Sequence, residues 1–100
     1  MDHGLPEQRR ILPDLLRISK ETGIPPVATN DSHYLTRDDS AAQDVLLCIG
    51  MGKTLSDAKR MKFYNSEFYV KDADEMNAAF AAWTKEAVAN TAAIAERVTP

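Results

Sequence analysis

Apolar residues recur at helical spacing early in the chain: Ile11, Leu15 and Ile18, with Leu12 and Leu16 beside them. Pro6 suits the first turn of such a helix, where its missing N–H costs nothing, and Gly23 offers a left-handed stop. Pro13 falls inside the pattern and cannot donate to the carbonyl of Arg9, which predicts a kink, or a short helix followed by a second one from Pro13. Ile24-Pro25-Pro26-Val27-Ala28-Thr29, closed by Asn30 and Asp31, then reads as a buried strand of about four residues. Thr36 with Asp39 forms a capping-box pattern, and Ala42, Val45, Leu46 and Ile49 continue as a stripe at i, i+3, i+4, i+7 that stops at Gly50. From Met51 to Asn65 the periodicity dissolves, predicting a long surface connection. Phe68-Tyr69-Val70 is strand-like but short. Asp72 with Glu75 predicts another cap, followed by Met76, Phe80 and Trp83 on one helical face, and a last helix restarts near Thr84 with Ala87, Thr91, Ile94 and Val98. The pattern as a whole predicts an α/β piece that is mostly helical.

Composition narrows the functional classes. The chain has 100 residues, 44% hydrophobic and 27% charged, with a formal charge of -3. That is ordinary globular composition with room for one modest core, and it argues against wholesale disorder and against a generally basic nucleic-acid-binding surface. No apolar run approaches the ~20 residues of a membrane span, and no basic stretch followed by an apolar one marks a signal peptide. A cytoplasmic, soluble protein is expected. The single cysteine, Cys48, has no internal disulfide partner and reads as a small buried hydrophobe.

The stretch with most chemistry is Val27-Ala28-Thr29-Asn30-Asp31-Ser32-His33-Tyr34. In an extended backbone, side chains two positions apart point to the same side, so Asp31 and His33 can reach one metal ion. An oxygen and a nitrogen donor suit zinc, manganese or iron better than magnesium. The competing reading is a surface turn in which Asp31 caps local N–H groups and His33 is simply exposed. Gly50-Met51-Gly52-Lys53-Thr54 superficially suggests a phosphate loop, but the pattern needs glycine where Leu47 stands, and a helix precedes it where a strand should. Lys53, Lys59, Arg60 and Lys62, followed by Phe63 and Tyr64, form the one basic segment. It can hold single-stranded nucleic acid by charge and stacking, or it can be a solvated loop docked on another domain, the reading preferred here. His3 has no element to orient it and is expected to face solvent. Phe80 and Trp83 read as core or interface residues.

Several segments occur in an order that resembles one family. Gly4, Pro6-Glu7-Gln8, Ile24-Pro25 and Val27-Ala28-Thr29-Asn30-Asp31-x-His33-Tyr34 resemble the end of the PHP (polymerase and histidinol phosphatase) domain in the alpha subunit of bacterial DNA polymerase III. Asp44-Val45-Leu46-Leu47-Cys48-Ile49, Gly52-Lys53-Thr54-Leu55, Phe68-Tyr69-x-Lys71, Glu75-Met76 and Asn90-Thr91-x-x-Ile94-Ala95-Glu96 continue it in order. Where Pro26 stands the family commonly has valine or leucine, and a proline often begins the segment that here reads Trp83-Thr84. Neither departure touches Asp31 or His33.

The resemblance implies a piece of a much longer replicative DNA polymerase. Residues 1–35 would be the end of the PHP domain, a late strand–helix unit of a TIM-like barrel, and residues 36–100 an α-helical extension with one short strand, leading toward the polymerase body. It implies that Asp31 and His33 are the last metal-binding motif of that domain, for a divalent zinc or manganese ion. In family members with complete motifs the site is a 3'-5' exonuclease; in others it is degenerate and structural. The family's other metal ligands and its polymerase aspartates lie outside this chain. No catalytic or cofactor-binding residue is therefore expected within it, and isolated it should bind metal weakly and be inactive. DNA and other replicase subunits are the partners implied for the parent, with no specific nucleic-acid site in the piece. Two other readings are a stand-alone PHP phosphoesterase, which would share the D-x-H but not the continuation from Asp44 to Glu96, and a small helical interaction module.

Overall fold

The computed structural model describes residues 1–98. Thr99 and Pro100, the end of the expected 36–100 extension, lie outside the described residues. Four α-helices form among the described residues: α1 (Pro6–Thr22), α2 (Ser40–Met51), α3 (Ala73–Phe80) and α4 (Glu86–Arg97). They divide between two compact units, one of Met1–Thr29 with the chain from Lys71 onward, the other of Asn30–Val70.

In the first unit, α1 starts at Pro6 and ends at Gly23, whose φ of 70° is the left-handed conformation and whose N–H bonds the carbonyl of Ser19. The helix passes through Pro13 as one element, correcting the expected second start. Having no N–H, Pro13 makes no bond to the carbonyl of Arg9. α3 carries the reciprocal cap expected from Asp72 and Glu75: the Glu75 N–H donates to Asp72 Oδ1 at 2.9 Å, and the Asp72 N–H to Glu75 Oε2 at 3.0 Å. Replacing Asp72 with alanine should destabilise this unit by about 1 kcal/mol. Urea unfolding followed through Trp83 would measure it, and an unchanged midpoint would mean that the cap contributes nothing.

Trp83 lies beyond the helix it was expected to extend. α3 stops at Phe80, and the N–H groups of Trp83 and Thr84 both return to the Phe80 carbonyl, at 2.9 and 3.0 Å. This corner lets α4 fold back. The core joins Phe80, Ala87 and Ala28, with Met76, Ala79 and Val88 packed around them.

The expected strand at Ile24–Thr29 is not formed. Pro25 and Pro26 have no N–H to offer a ladder. Its polar groups bond elsewhere: the Ala28 N–H donates to the Ala87 carbonyl of α4 at 2.8 Å and Asn90 Nδ2 of α4 to the Pro26 carbonyl at 2.7 Å, while the Ile24 carbonyl accepts from the Ser19 hydroxyl at 2.7 Å and the Thr29 carbonyl from the Met1 amino group at 2.9 Å. The segment is thus pinned to a helix and not to a neighbouring strand, so no element of a barrel sheet is visible here.

His3 is also corrected: it is buried, at 2% exposure. Gln8, in the first turn of α1, accepts the His3 backbone N–H at 2.7 Å and pairs with His3 Nδ1 at 3.2 Å. Asp2 accepts from the Gly4 N–H and from Arg9 Nε, each at 2.7 Å. Burial works against charge on Asp2, but these bonds and the positive charge of Arg9 hold its carboxyl below the usual carboxylate range.

In the second unit, a 3-10 turn at Arg37–Asp39 leads into α2, with the expected box between Thr36 and Asp39 in place. α2 ends at Gly52 and not at Gly50. Gly52 has φ 60°, its N–H bonds the carbonyl of Ile49, and the Lys53 N–H reaches that of Cys48 at 2.9 Å. This paired Schellman arrangement needs the left-handed residue two places later than the hydrophobic stripe suggests. Cys48 is buried as expected, yet the stripe itself, Ala42, Val45, Leu46 and Ile49, remains exposed.

Candidate metal centre

Phe68-Tyr69-Val70 does not extend into a strand; Tyr69 forms a single parallel bridge with Tyr34. That bridge organises the site. The His33 N–H donates to the Phe68 carbonyl at 2.7 Å and the Val70 N–H to the Tyr34 carbonyl at 3.0 Å. Asn30 Nδ2 donates to the Tyr69 carbonyl at 2.9 Å, and the Phe68 N–H to the Tyr34 hydroxyl at 3.2 Å. Arg37 adds a strap from the other side, pairing with Glu67 and donating from Nη2 to the Tyr69 hydroxyl at 3.1 Å.

Held this way, Asp31 and His33 turn their side chains toward each other. Asp31 Oδ1 and His33 Nε2 stand 3.0 Å apart, both open to solvent. Two donors about 2.1 Å from a shared ion would stand about 3.0–3.4 Å apart for angles between right and tetrahedral. In donor type the pair fits a zinc or manganese ion, and the 3.0 Å spacing is that of the hydrogen bond the two side chains make with each other. Among the described residues no group of three His, Cys, Asp or Glu side chains gathers around a common point.

The ring of His33 is packed and not free. Phe63 lies with its centroid 4.6 Å away at 45°, and Phe68 stands edge-on at 6.2 Å. The two phenyl rings meet at 4.7 Å. Nothing in the local sequence announces Phe63 as a neighbour of His33, because the two are brought together by a loop with no periodicity of its own.

The basic segment is not a uniform run of solvated charge. Lys53, Lys59 and Lys62 are exposed, while the Arg60 side chain is only 8% exposed and grips Asp44 of α2 with both guanidinium nitrogens. The hydrogen bond from Arg60, with the nearby positive charges of Arg60 and Lys62, holds the Asp44 carboxyl below its ordinary range. Tyr64 is exposed, whereas Phe63 is half-buried against His33. One cation and one aromatic of the segment are thus engaged within the protein.

No protein-family model matches the chain. It is similar to DNA polymerase III subunit alpha of Saccharopolyspora erythraea, with 50% identity over 101 residues. It is also similar to that of Treponema pallidum, with 47% over 96 residues, and of Campylobacter jejuni, with 45% over 97 residues. These matches take in 98%, 96% and 97% of this chain. The chain spans about 8% of the length of the curated relatives it matches.

Proposed function

The chain is homologous over nearly its whole length to one segment of the bacterial DNA polymerase III alpha subunit, and on that premise we propose that it serves in a replicative DNA-directed DNA polymerase acting in the cytoplasm. Residues 1–35 close a PHP domain of barrel form, and the chain from residue 36 leads toward the polymerase body. The observation that carries this reading is identity of 45–50% running through 96–98% of the chain. An isolated D-x-H motif shared with small phosphoesterases would give no reason for similarity through α2, α3 and α4. DNA and other replicase subunits are the partners of the parent protein. Among the described residues no helix is long and apolar enough to cross a membrane.

In this reading Asp31 and His33 are the chain's share of a divalent zinc or manganese site, with further ligands on other parts of the parent. When bound, such an ion supplies Lewis-acid activation of water and neutralises charge on a phosphodiester. Asp31 contributes a carboxylate oxygen and His33 an imidazole nitrogen, and their exposure leaves the donor pair accessible to a phosphate ester. Two protein donors fall short of the three that catalytic zinc sites typically use. The isolated chain is therefore expected to be inactive as polymerase and as exonuclease.

The test uses a full-length alpha subunit carrying this segment. The double substitution Asp31→Asn, His33→Asn is expected to reduce the zinc and manganese retained after dialysis while leaving primer extension in place. Metal content equal to that of the unsubstituted subunit would remove Asp31 and His33 from the site.

A further inference from the structure

We propose that Phe63 positions the imidazole of His33 against Asp31, and that the Arg60–Asp44 pair holds Phe63 in that place. The inference deepens the metal-site reading and rests on it. The backbone of His33 is fixed by one bond to Phe68, but an imidazole on a partly exposed chain turns about two torsions, and only some rotamers bring Nε2 to the Asp31 carboxylate. The 3.0 Å hydrogen bond from His33 to Asp31 is open to water, so a donor pair set before an ion arrives also needs its ring held by packing.

Two rings do this, in different ways. Phe68 is 4% exposed and its backbone is bonded to His33 and to the Tyr34 hydroxyl beside the bridge, so it is a fixed wall. Phe63 faces His33 at the shorter distance, 4.6 Å, and also leans on Phe68 at 4.7 Å. It comes from a stretch with neither helix nor strand, so its position must be imposed.

The anchors follow one another along that stretch. The Lys53 N–H is bonded to Cys48 at the end of α2. Asp57 accepts the Thr54 N–H at 2.7 Å and the Thr54 hydroxyl at 3.0 Å, closing a small turn. Arg60 then grips Asp44 through both nitrogens and donates from Nε to the Leu55 carbonyl at 3.3 Å. The planar guanidinium fork fixes direction as well as distance, which an ammonium cannot do. Phe63 follows three residues later. Arg60 thus acts on the donor pair through Phe63 without touching it.

The experiment uses the 100-residue chain, free of metal and at constant pH, with the His33 ring protons read by NMR. In the unsubstituted chain they should be displaced by the ring current of Phe63, show cross-relaxation to it, and report a single rotamer. Phe63→Leu should return them toward random-coil positions with averaged rotamers. Phe63→Tyr should restore both features, which a merely structural loss would not. Arg60→Lys keeps the charge but loses the fork, and should weaken the Phe63–His33 cross-relaxation while α2 keeps its helical signal. In the full-length subunit, Phe63→Leu should raise the zinc dissociation constant about 10-fold or more, and Phe63→Tyr should not. Unmoved His33 protons in Phe63→Leu, or an unchanged contact in Arg60→Lys, would overturn the proposal. So would unaltered zinc affinity in a Phe63→Leu subunit whose His33 ring is freed. Failure of the metal reading is distinguishable, since it appears as unchanged metal content in the Asp31, His33 double variant and leaves the metal-free ring signals as they are.

Discussion

Phe80→Ala should destabilise the unit built on α1, α3 and α4 by about 3–5 kcal/mol. Phe80 is 6% exposed and is the one large side chain in a core otherwise made by Ala28 and Ala87. The two alanines cannot fill the space a lost phenyl ring leaves, while Met76 and Val88 packed around it can relax only in part, so the cost combines lost burial with a residual cavity. The same ring lies at the corner where Trp83 and Thr84 bond the Phe80 carbonyl. Its removal therefore also loosens the return from α3 to α4. Against a total stability of about 5–15 kcal/mol for a small domain, this is a large fraction. The measurement is urea unfolding followed by the fluorescence of Trp83, the one tryptophan of the chain. A volume-conserving Phe80→Leu should cost under about 1.5 kcal/mol. Equal, small losses for both variants would show that Phe80 does not hold this core.

Phe68→Ala should have a comparable effect on the other unit, about 3–5 kcal/mol, and a sharper local consequence. The Phe68 backbone bonds His33 and Tyr34, and the substitution leaves those groups in place. What disappears is the wall against which Phe63 and His33 rest. The bridge between Tyr34 and Tyr69 would then open more often, because a single bridge has no neighbouring strand to support it. Amide hydrogen exchange reads this directly. A loss of about 3 kcal/mol corresponds to exchange faster by about 100-fold or more, expected at the amides of His33 and Val70. Exchange at those two amides unchanged from the unsubstituted chain would show that the bridge stands without the ring.

Several features were legible because their causes are local. The cap of α3 needs only Asp72 and Glu75, three residues apart, and the stop of α1 only a glycine able to take φ 70°. Asp31 and His33 meet at 3.0 Å, as their i, i+2 spacing allowed, although the strand expected to lead into them is not formed. The similarity to the polymerase subunit was legible too, since order along the chain is itself a property of sequence. Other expectations failed where a distant partner decided the outcome. His3 was expected in solvent, but Gln8 turns back from α1 and takes its backbone N–H. The apolar run at Ile24–Thr29 has the composition of a strand, yet Ala28 and Pro26 bond α4, and Ile24 and Thr29 bond Ser19 and the Met1 amino group.

The sequence by itself did not determine that α1 runs on through Pro13 or where α2 and α3 stop, but it determined that four helical segments occur and roughly where, which short motif carries the candidate donors, and which family the chain resembles. Each of these depends on residues within a few positions of one another, or on the order of motifs, and needs no knowledge of what lies across the fold. Only the tertiary structure decided which elements the polar groups of the irregular segments would satisfy. It paired Arg60 with Asp44, placed Phe63 on His33, and let Tyr69 meet Tyr34 in a single bridge. A buried or half-buried polar or aromatic group takes the best partner within reach. For residues in loops, what lies within reach is set by the packing of the elements around them and not by the chain on either side.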